Sequence, residues 1–144
     1  MSFVLDSSVA LAWCFEDECT DATDELLRRT AMSGARAPGL WPLEVLNGLA
    51  MAERRHRLDS SARQRLAGFL RDLPVSIDGE TADQAWGAIA DLAARFRLTV
   101  YDAAYLELAW RLGVPLATLD QDLRAAATAL KVALLGRPAE DSRN

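Results

Sequence analysis

Short apolar runs alternate with longer segments of helical periodicity along this chain of 144 residues. The runs predict strands, and the amphipathic segments between them predict helices. The predicted strands are FVL at 3–5, ARA at 35–37, PVSI at 74–77, PLATL at 115–119 and KVALL at 131–135. The predicted helices cover residues 9–13, 21–32, 42–57, 59–73, 80–96, 101–113 and 122–130.

The strand runs are mostly apolar, which differs from the regular period-two alternation of a half-exposed sheet. This pattern is typical of a mostly parallel sheet with helices on both faces, so we expect an α/β fold with a large helical share. We expect one domain over residues 1–135, because no repeat or linker interrupts that stretch. The polar segment 136–144 is predicted to be a disordered tail.

Composition restricts the cellular setting. No apolar run reaches the length of a membrane span, and the N-terminus lacks the pattern of a secretory signal. The two cysteines, Cys14 and Cys19, have no second metal-binding pair nearby, so free thiols are favoured over a zinc site. We therefore expect a cytoplasmic protein that makes no contact with membranes.

Acidic residues occur where the predicted strands end or the following helices begin. Asp6 ends the first strand, Asp120 follows PLATL, and Glu44 and Asp102 lie in first helical turns. Ligands of open α/β sheets bind beyond the carboxyl ends of the strands, so these four acids are candidates for one site. The alternative for each acid is helix capping or dipole compensation, which fits Asp122 best.

The apolar surroundings of Asp6, Glu44 and Asp102 favour a common site, because a buried charge needs a partner. Two carboxylates about 5 Å apart repel by roughly 3 kcal/mol at an effective dielectric near 20. A Mg²⁺ or Mn²⁺ ion would remove that conflict, since such hard cations prefer oxygen ligands. The cluster, if it forms, is therefore predicted to be a metal site.

Such a site suits the attack of metal-activated water on a phosphodiester. The net charge of −5 argues against simple electrostatic binding of nucleic acid, and a bound cation would offset it. With His56 as the sole histidine, acid–base chemistry by histidine is disfavoured. The hydroxyls of Ser7, Ser8 and Thr118 could hold a carboxylate in place, although helix capping explains the two serines equally well.

These motifs together resemble a known family. They are LDSSVALAW with Asp6, PLEVLNGL with Glu44 and Asn47, LTVYDAAYLELA with Asp102, and PLATLD with Asp120. In order and spacing they are similar to PIN-domain ribonucleases, and within them to the VapC toxins of toxin–antitoxin pairs. The resemblance implies a three-layer α/β/α domain around a mostly parallel central sheet.

The resemblance also implies roles for individual residues. Carried over by position, the acids that coordinate Mg²⁺ or Mn²⁺ are Asp6, Glu44, Asp102 and Asp120. Ser8 and Thr118 match polar positions near that site, and Asn47 lies one helical turn beyond the glutamate. Asp122 falls where relatives have an acid only in some cases.

The implied activity is metal-dependent endonucleolytic cleavage of RNA by a growth-arresting toxin. The implied partners are the RNA substrate, a VapB-type antitoxin whose C-terminal segment lies across the active-site groove, and a second copy in a homodimer. DNA would be contacted only through the antitoxin.

Other interpretations of the same residues remain. A haloacid dehalogenase-like phosphatase also needs an Asp after its first strand, but it wants a second Asp where Ser8 stands and a catalytic lysine, and the chain has only Lys131. A serine hydrolase would need a G-x-S-x-G elbow, which is missing. A module that binds RNA or a partner without cleaving is a further alternative, which the complete set of acids disfavours.

Two surface features also have alternatives. The segment ERRHR at 53–57 could contact phosphates or an acidic tail of an antitoxin, or it could simply be a solvated helix end. The four tryptophans lie in apolar helical contexts, which favours the core or a dimer interface over stacking on bases. They are Trp13, Trp41, Trp86 and Trp110.

Overall fold

The computed structural model describes residues 2–137 and contains one five-stranded sheet within them. Its strands are β1 Val4–Leu5, β2 Ala35–Ala37, β3 Val75–Ile77, β4 Leu116–Ala117 and β5 Leu134–Leu135. They lie side by side in the order β3-β2-β1-β4-β5, and every neighbouring pair is parallel. All carboxyl ends therefore meet at one edge of the sheet.

Helices connect the strands. The α-helices are α1 Ser7–Ala12, α2 Asp21–Ser33, α3 Trp41–Arg54, α4 Ser60–Asp72, α5 Thr81–Gln84, α6 Ala90–Phe96, α7 Val100–Leu112 and α8 Gln121–Ala129. A 3₁₀ turn covers Glu16–Glu18, and a π-helical segment covers Ala85–Ile89. No helix within residues 2–137 is long and apolar enough to cross a bilayer.

The sheet is covered on both faces, as expected for an all-parallel sheet. Successive strand residues point to opposite faces, yet Val4 and Leu5 are both 0% exposed, as are Leu116 and Ala117. The predicted α/β class, with a three-layer α/β/α arrangement, is confirmed.

Two neighbouring strands are shorter than the sequence pattern predicts. PLATL and KVALL each suggested five strand residues, but only two residues pair in β4 and two in β5. Thr118 therefore lies in the loop after β4. Arg124 on α8 ties the two strand ends together, because its Nη1 donates to the carbonyls of Thr118 and Leu135 at 2.5 and 3.2 Å.

Gly136 completes this edge of the sheet. Its φ of 122° is unfavourable for residues with a side chain, and a Cβ atom there would lie 3.1 Å from the Thr118 carbonyl oxygen. The predicted disordered tail starts at this residue, and its segment 138–144 lies outside the described residues.

The helix predicted at 42–57 begins one residue earlier and ends at Arg54, so most of the ERRHR segment lies beyond it. His56 follows with a left-handed φ of 61°. Arg57 turns back to the 3₁₀ segment, where it pairs with Asp17 and Glu18 at 3.1 Å each. Arg57 also lies over the ring of Phe15, at 4.1 Å from its centroid. This arginine is therefore held by contacts within the chain.

The long helix predicted at 80–96 is interrupted. Its middle, Ala85–Ile89, has π-helical hydrogen bonding, so α5 and α6 are separated by a wider turn. Trp86 lies in this turn and is 92% exposed, and Trp110 on α7 is 54% exposed. Trp13 and Trp41 are buried in the core. Only two of the four tryptophans therefore pack inside this chain.

Candidate active site

Asp6 lies immediately after β1 and is only 3% exposed. It occupies the N-cap position of α1, but its side chain makes no capping hydrogen bond. Instead its Oδ2 accepts hydrogen bonds from Ser8 Oγ at 2.6 Å and Thr118 Oγ1 at 2.8 Å. The helix-capping alternative therefore fails for Asp6. Burial raises the pKa of this carboxyl despite the two hydroxyl groups.

Glu44 lies in the first turn of α3 and is partly buried. Its Oε1 accepts hydrogen bonds from Ser7 Oγ at 3.1 Å and from Tyr105 Oη at 2.7 Å. Tyr105 belongs to α7 and is 0% exposed. Burial, followed by the charges of Asp6 and Glu44, raises the pKa of the tyrosine, so its hydroxyl keeps its proton and acts as a donor.

Asp102 lies in the first turn of α7 and is partly buried. The cap of this helix is Thr99, whose Oγ1 accepts from the Asp102 backbone N–H at 3.0 Å. Burial is the largest cause that raises the pKa of the Asp102 carboxyl to about 6. The other causes that raise it are the charges of the remaining candidate acids, Asp120, Asp6 and Glu44. The four acids therefore share one electrostatic environment.

Asp120 combines two functions that the sequence presented as alternatives. It is the N-cap of α8, and its Oδ1 accepts from the backbone N–H of Leu123 at 2.8 Å. Its own backbone N–H donates to Thr118 Oγ1 at 3.1 Å. The capping interpretation is thus correct for Asp120, which also contributes its charge to the cluster.

Two of the four supporting residues lie within this hydrogen-bonded group. Thr118 contacts Asp6 and the backbone of Asp120, and Ser8 contacts Asp6 and accepts from the backbone N–H of Leu119 at 3.0 Å. Helix capping therefore does not account for Ser8.

The other two supporting residues, Asn47 on α3 and Asp122 on α8, are exposed. Within residues 2–137, neither forms a side-chain hydrogen bond to a candidate acid. Sequence reasoning also missed Tyr105. A tyrosine three positions after Asp102, on the same face of a largely apolar helix, was the available signal.

The donor set of this cluster suits a hard divalent cation. Among residues 2–137, no arginine or lysine forms an ion pair with any of the four acids. In that same part of the chain, no three His, Cys, Asp or Glu side chains already stand at coordinating positions. Mg²⁺ commonly takes one or two carboxylates and completes its shell with water, so a few carboxylate oxygens suffice. The charges of the other three acids raise the pKa of Asp102, and a bound cation would relieve this repulsion.

A family comparison identifies the domain. The family model described as "PIN domain" matches residues 3–129, which is most of the chain. The chain belongs to the PIN-domain family. PIN domains are nucleases, so the family expected from the sequence motifs is confirmed. No curated protein sequence matches the chain significantly.

Solved structures support the PIN fold. PAE2754 from Pyrobaculum aerophilum is 22% identical with a TM-score of 0.66, over 91% of this chain and 93% of that one. VapBC2 from Rickettsia felis, bound to a DNA fragment from their promoter, is 11% identical with a TM-score of 0.63, over 93% and 97%. FitAcB from Neisseria gonorrhoeae is 16% identical with a TM-score of 0.65, over 95% and 98%. At these identities the likeness establishes the fold of this PIN domain.

Proposed function

We propose that this PIN domain is a Mg²⁺- or Mn²⁺-dependent endoribonuclease of the VapC type, the toxin of a toxin–antitoxin pair that acts in the cytoplasm. Asp6, Glu44, Asp102 and Asp120 are the proposed metal-coordinating and catalytic acids, and Ser8 and Thr118 are the proposed supporting residues. Asn47 and Asp122 are secondary candidates, because both are exposed beside the acids that they accompany along the chain.

One observation carries this proposal: four acids gather at the carboxyl edge of a parallel sheet without an ion-pairing cation among residues 2–137. A structural role would leave such charges paired or exposed. Here Asp6 is buried and its only hydrogen-bonding side chains are uncharged hydroxyl groups. A cation or a proton that compensates this charge would therefore stabilise the arrangement.

The proposed chemistry is hydrolysis of an RNA phosphodiester bond. A divalent cation held at this position would lower the pKa of bound water and would stabilise negative charge on the phosphate. Ser8 and Thr118 hold Asp6 in one orientation, and the α8 cap fixes Asp120. Histidine-based catalysis plays no part in this proposal, because His56 lies beyond the end of α3 with an exposed side chain.

The proposed partners are a VapB-type antitoxin, the RNA substrate and a second copy of the chain. Similarity to VapBC2 and FitAcB supports the antitoxin, and the promoter DNA in the VapBC2 structure shows that this related complex binds DNA. Contact of this chain with DNA through the antitoxin only is part of the proposal. The exposed side chains of Trp86 and Trp110 are proposed to contribute to a homodimer interface, because tryptophan is enriched in protein–protein interfaces.

The phosphatase alternative receives no support from the topology. Lys131, the residue that would have to serve as its catalytic lysine, precedes β5 and therefore lies at the amino ends of the parallel strands. Asp6 lies at the opposite edge, after β1.

An RNA-cleavage assay on the antitoxin-free chain tests the proposal. A labelled cellular RNA pool is incubated with Mg²⁺ or Mn²⁺, with an EDTA control, and with the Asp102→Asn variant. Asp21→Asn is the matched control, because Asp21 is also an acid in a first helical turn but is exposed on α2. We expect discrete cuts that require both the metal and Asp102 and that persist in the control.

Expression in cells tests the toxin role. The wild-type chain should arrest growth when its antitoxin is absent, and Asp102→Asn should not. Folded protein that cuts no RNA with either metal, and that does not arrest growth, would favour a module that binds without cleaving.

A further inference from the structure

Tyr105 carries its one polar group into the candidate site from the middle of the core. The residue is 0% exposed, and its neighbours along α7, including Ala104 and Leu106, are buried too. Its hydroxyl donates to Glu44 Oε1 at 2.7 Å across 61 positions of sequence. A buried tyrosine hydroxyl usually has a hydrogen-bond partner, but here the partner is one of the four candidate acids.

Position on the helix links Tyr105 to a second acid. Asp102 and Tyr105 are three residues apart on α7, and residues at this spacing share one face of a helix. The helix is fixed at its start by the Thr99 cap and ends at Gly113, whose φ is 67°. One rigid element thus contributes Asp102 to the site directly and reaches Glu44 on α3 through Tyr105.

The two carboxylates bound by hydroxyls are held in the same way. Ser7 and Tyr105 both donate to Glu44 Oε1, and Ser8 and Thr118 both donate to Asp6 Oδ2. Within residues 2–137, no side chain donates to the second oxygen of either carboxylate. In each acid, two hydroxyl groups bind the same oxygen and so fix the orientation of the carboxylate.

We propose that Tyr105 is a positioning residue that orients Glu44 for binding of the divalent cation. This inference rests on the proposed function, since it assigns a role within the same site. Second-sphere partners of metal-coordinating carboxylates commonly change metal affinity or activity by about 10–100-fold when removed. Loss of the Tyr105 hydroxyl should therefore weaken metal binding while the aromatic ring still fills the core.

The test measures Mn²⁺ binding to the full antitoxin-free chain by isothermal titration calorimetry. We expect Tyr105→Phe to fold, with a melting temperature close to that of the wild type, and to raise the dissociation constant for Mn²⁺ by about 10-fold. Tyr101→Phe is the matched control, because Tyr101 is on the same helix but is 61% exposed. The affinity of this variant for Mn²⁺ should stay within about twofold of the wild-type value. In an E44A background, Tyr105→Phe should have no further effect.

Fluorotyrosine labelling gives a measurement that requires no variant at Tyr105. The chain has two tyrosines, so the ¹⁹F spectrum should contain two signals, which Tyr101→Phe assigns. Titration with Mg²⁺ should shift the Tyr105 signal with the same midpoint as binding measured by calorimetry.

The outcomes separate this inference from the proposed function. Wild-type affinity in a folded Tyr105→Phe variant, or a Tyr105 signal that Mg²⁺ does not move, overturns the role of Tyr105 while leaving the nuclease proposal intact. If E44A and the wild type both fail to bind Mn²⁺ and the wild type cuts no RNA, both proposals are wrong. If Tyr105→Phe binds Mn²⁺ more weakly, and a higher Mn²⁺ concentration restores both binding and RNA cleavage, the positioning role of Tyr105 is confirmed.

Discussion

Thr118 Oγ1 donates a hydrogen bond of 2.8 Å to Asp6 Oδ2 and so joins the ends of two adjacent strands that are 112 residues apart in sequence. The same oxygen accepts from the backbone N–H of Asp120 at 3.1 Å. One fully buried hydroxyl therefore orients one candidate acid and also fixes the loop from which another projects. The loop exists because β4 ends at Ala117, two residues earlier than the apolar pattern suggests.

Removal of this hydroxyl should destabilise the fold. Thr118→Val keeps the branched shape but removes one of the two hydroxyl donors to Asp6 and takes away the hydroxyl that accepts from the Asp120 N–H. Loss of a buried hydrogen-bond partner costs about 1–3 kcal/mol, and more where the partner is charged. We expect the free energy of unfolding in urea to fall by about 2–3 kcal/mol at pH 7.

The control for this substitution is Thr128→Val. Thr128 is exposed on α8, and its hydroxyl donates only to the Arg124 carbonyl within its own helix. Surface changes of this kind usually stay within about 0.5 kcal/mol. Thr118→Ser, which keeps the hydroxyl, should recover most of the stability lost in Thr118→Val. Equal effects of Thr118→Val and Thr128→Val would show that the Thr118 hydroxyl has no special role.

The sequence was sufficient to place Asp6 and Asp120, because each directly follows a strand and parallel strands present their ends at one edge. The helix predicted at 59–73 also agrees closely with α4, which Asp59 caps by accepting from the backbone N–H of Ala62 at 2.7 Å. These features depend on neighbours in the chain. The contact between Tyr105 and Glu44 depends instead on how α3 and α7 pack, and no local pattern encodes that packing.

Stability of the metal-free chain should decrease as pH rises from 5 to 7. Asp6 and Asp102 have raised pKa values in the folded state, with Asp102 at about 6, so the folded chain binds more protons than the unfolded chain in this range. The contribution of Asp102 is complete below its unfolded pKa of about 3.9 and is lost as pH rises through about 6, and that of Asp6 is lost as pH rises through its own raised pKa. Chemical denaturation in EDTA should show a fall of about 1–2 kcal/mol, after allowance for solvent screening at Asp102.

Saturating Mg²⁺ should remove this pH dependence, because a cation compensates the charges that protons compensate at lower pH. The two titrations use the same buffers and differ only in EDTA or Mg²⁺. A metal-free chain that gains stability between pH 5 and 7 would contradict the proposed burial of uncompensated carboxylates.

Asp102→Asn should separate stability from activity. The substitution removes one repelling charge, so the metal-free chain should become more stable at pH 7 by about 0.5–1.5 kcal/mol. RNA cleavage should fall by about 100-fold or more, as when other preorganised groups that stabilise a transition state are lost. Differential scanning calorimetry in EDTA and the cleavage assay measure the two effects. A variant that is both less stable and fully active would count against this account of Asp102.

The end of α3 shows where prediction from sequence failed. Helical periodicity continues through ERRHR, but α3 ends at Arg54, and Arg57 pairs with Asp17 and Glu18. Those partners lie in a 3₁₀ turn that no apolar pattern announces. Contacts between distant segments overrode local propensity here, as is common for marginal helix ends.

A buried ion-pair network outside the site should be important for stability. Arg111 on α7 contacts Glu107 at 2.7 Å and Asp78 at 2.7 Å, and these two carboxylates are only 3% and 6% exposed. Although burial opposes it, the hydrogen bonds from Arg111 and Thr81 hold the pKa of Asp78 below its usual value. Arg111→Met should cost about 2–4 kcal/mol, because it leaves two buried charges unpaired.

Arg71→Met is the matched control for this network. Its ion pair with Asp72 is exposed on both sides, at 79% and 72%, so the loss should be within about 0.5 kcal/mol. Urea denaturation at pH 7 measures both variants. Similar losses of unfolding free energy in the two variants would mean that burial of Glu107 and Asp78 does not strengthen the contacts of Arg111.

Trp86 should contribute strongly to the proposed homodimer. It is the most exposed large apolar side chain among residues 2–137, at 92%, and it lies in the π-helical turn, which separates α5 from α6. Buried tryptophans at interfaces commonly contribute about 2 kcal/mol or more, so Trp86→Ala should weaken the dimer by about 30-fold or more. Sedimentation equilibrium over a concentration series measures this change. Met32→Ala is the control, because Met32 on α2 is also a large apolar side chain and is 86% exposed. A wild-type chain that stays monomeric at high concentration would exclude the homodimer. An unchanged dimer in Trp86→Ala would place the interface elsewhere.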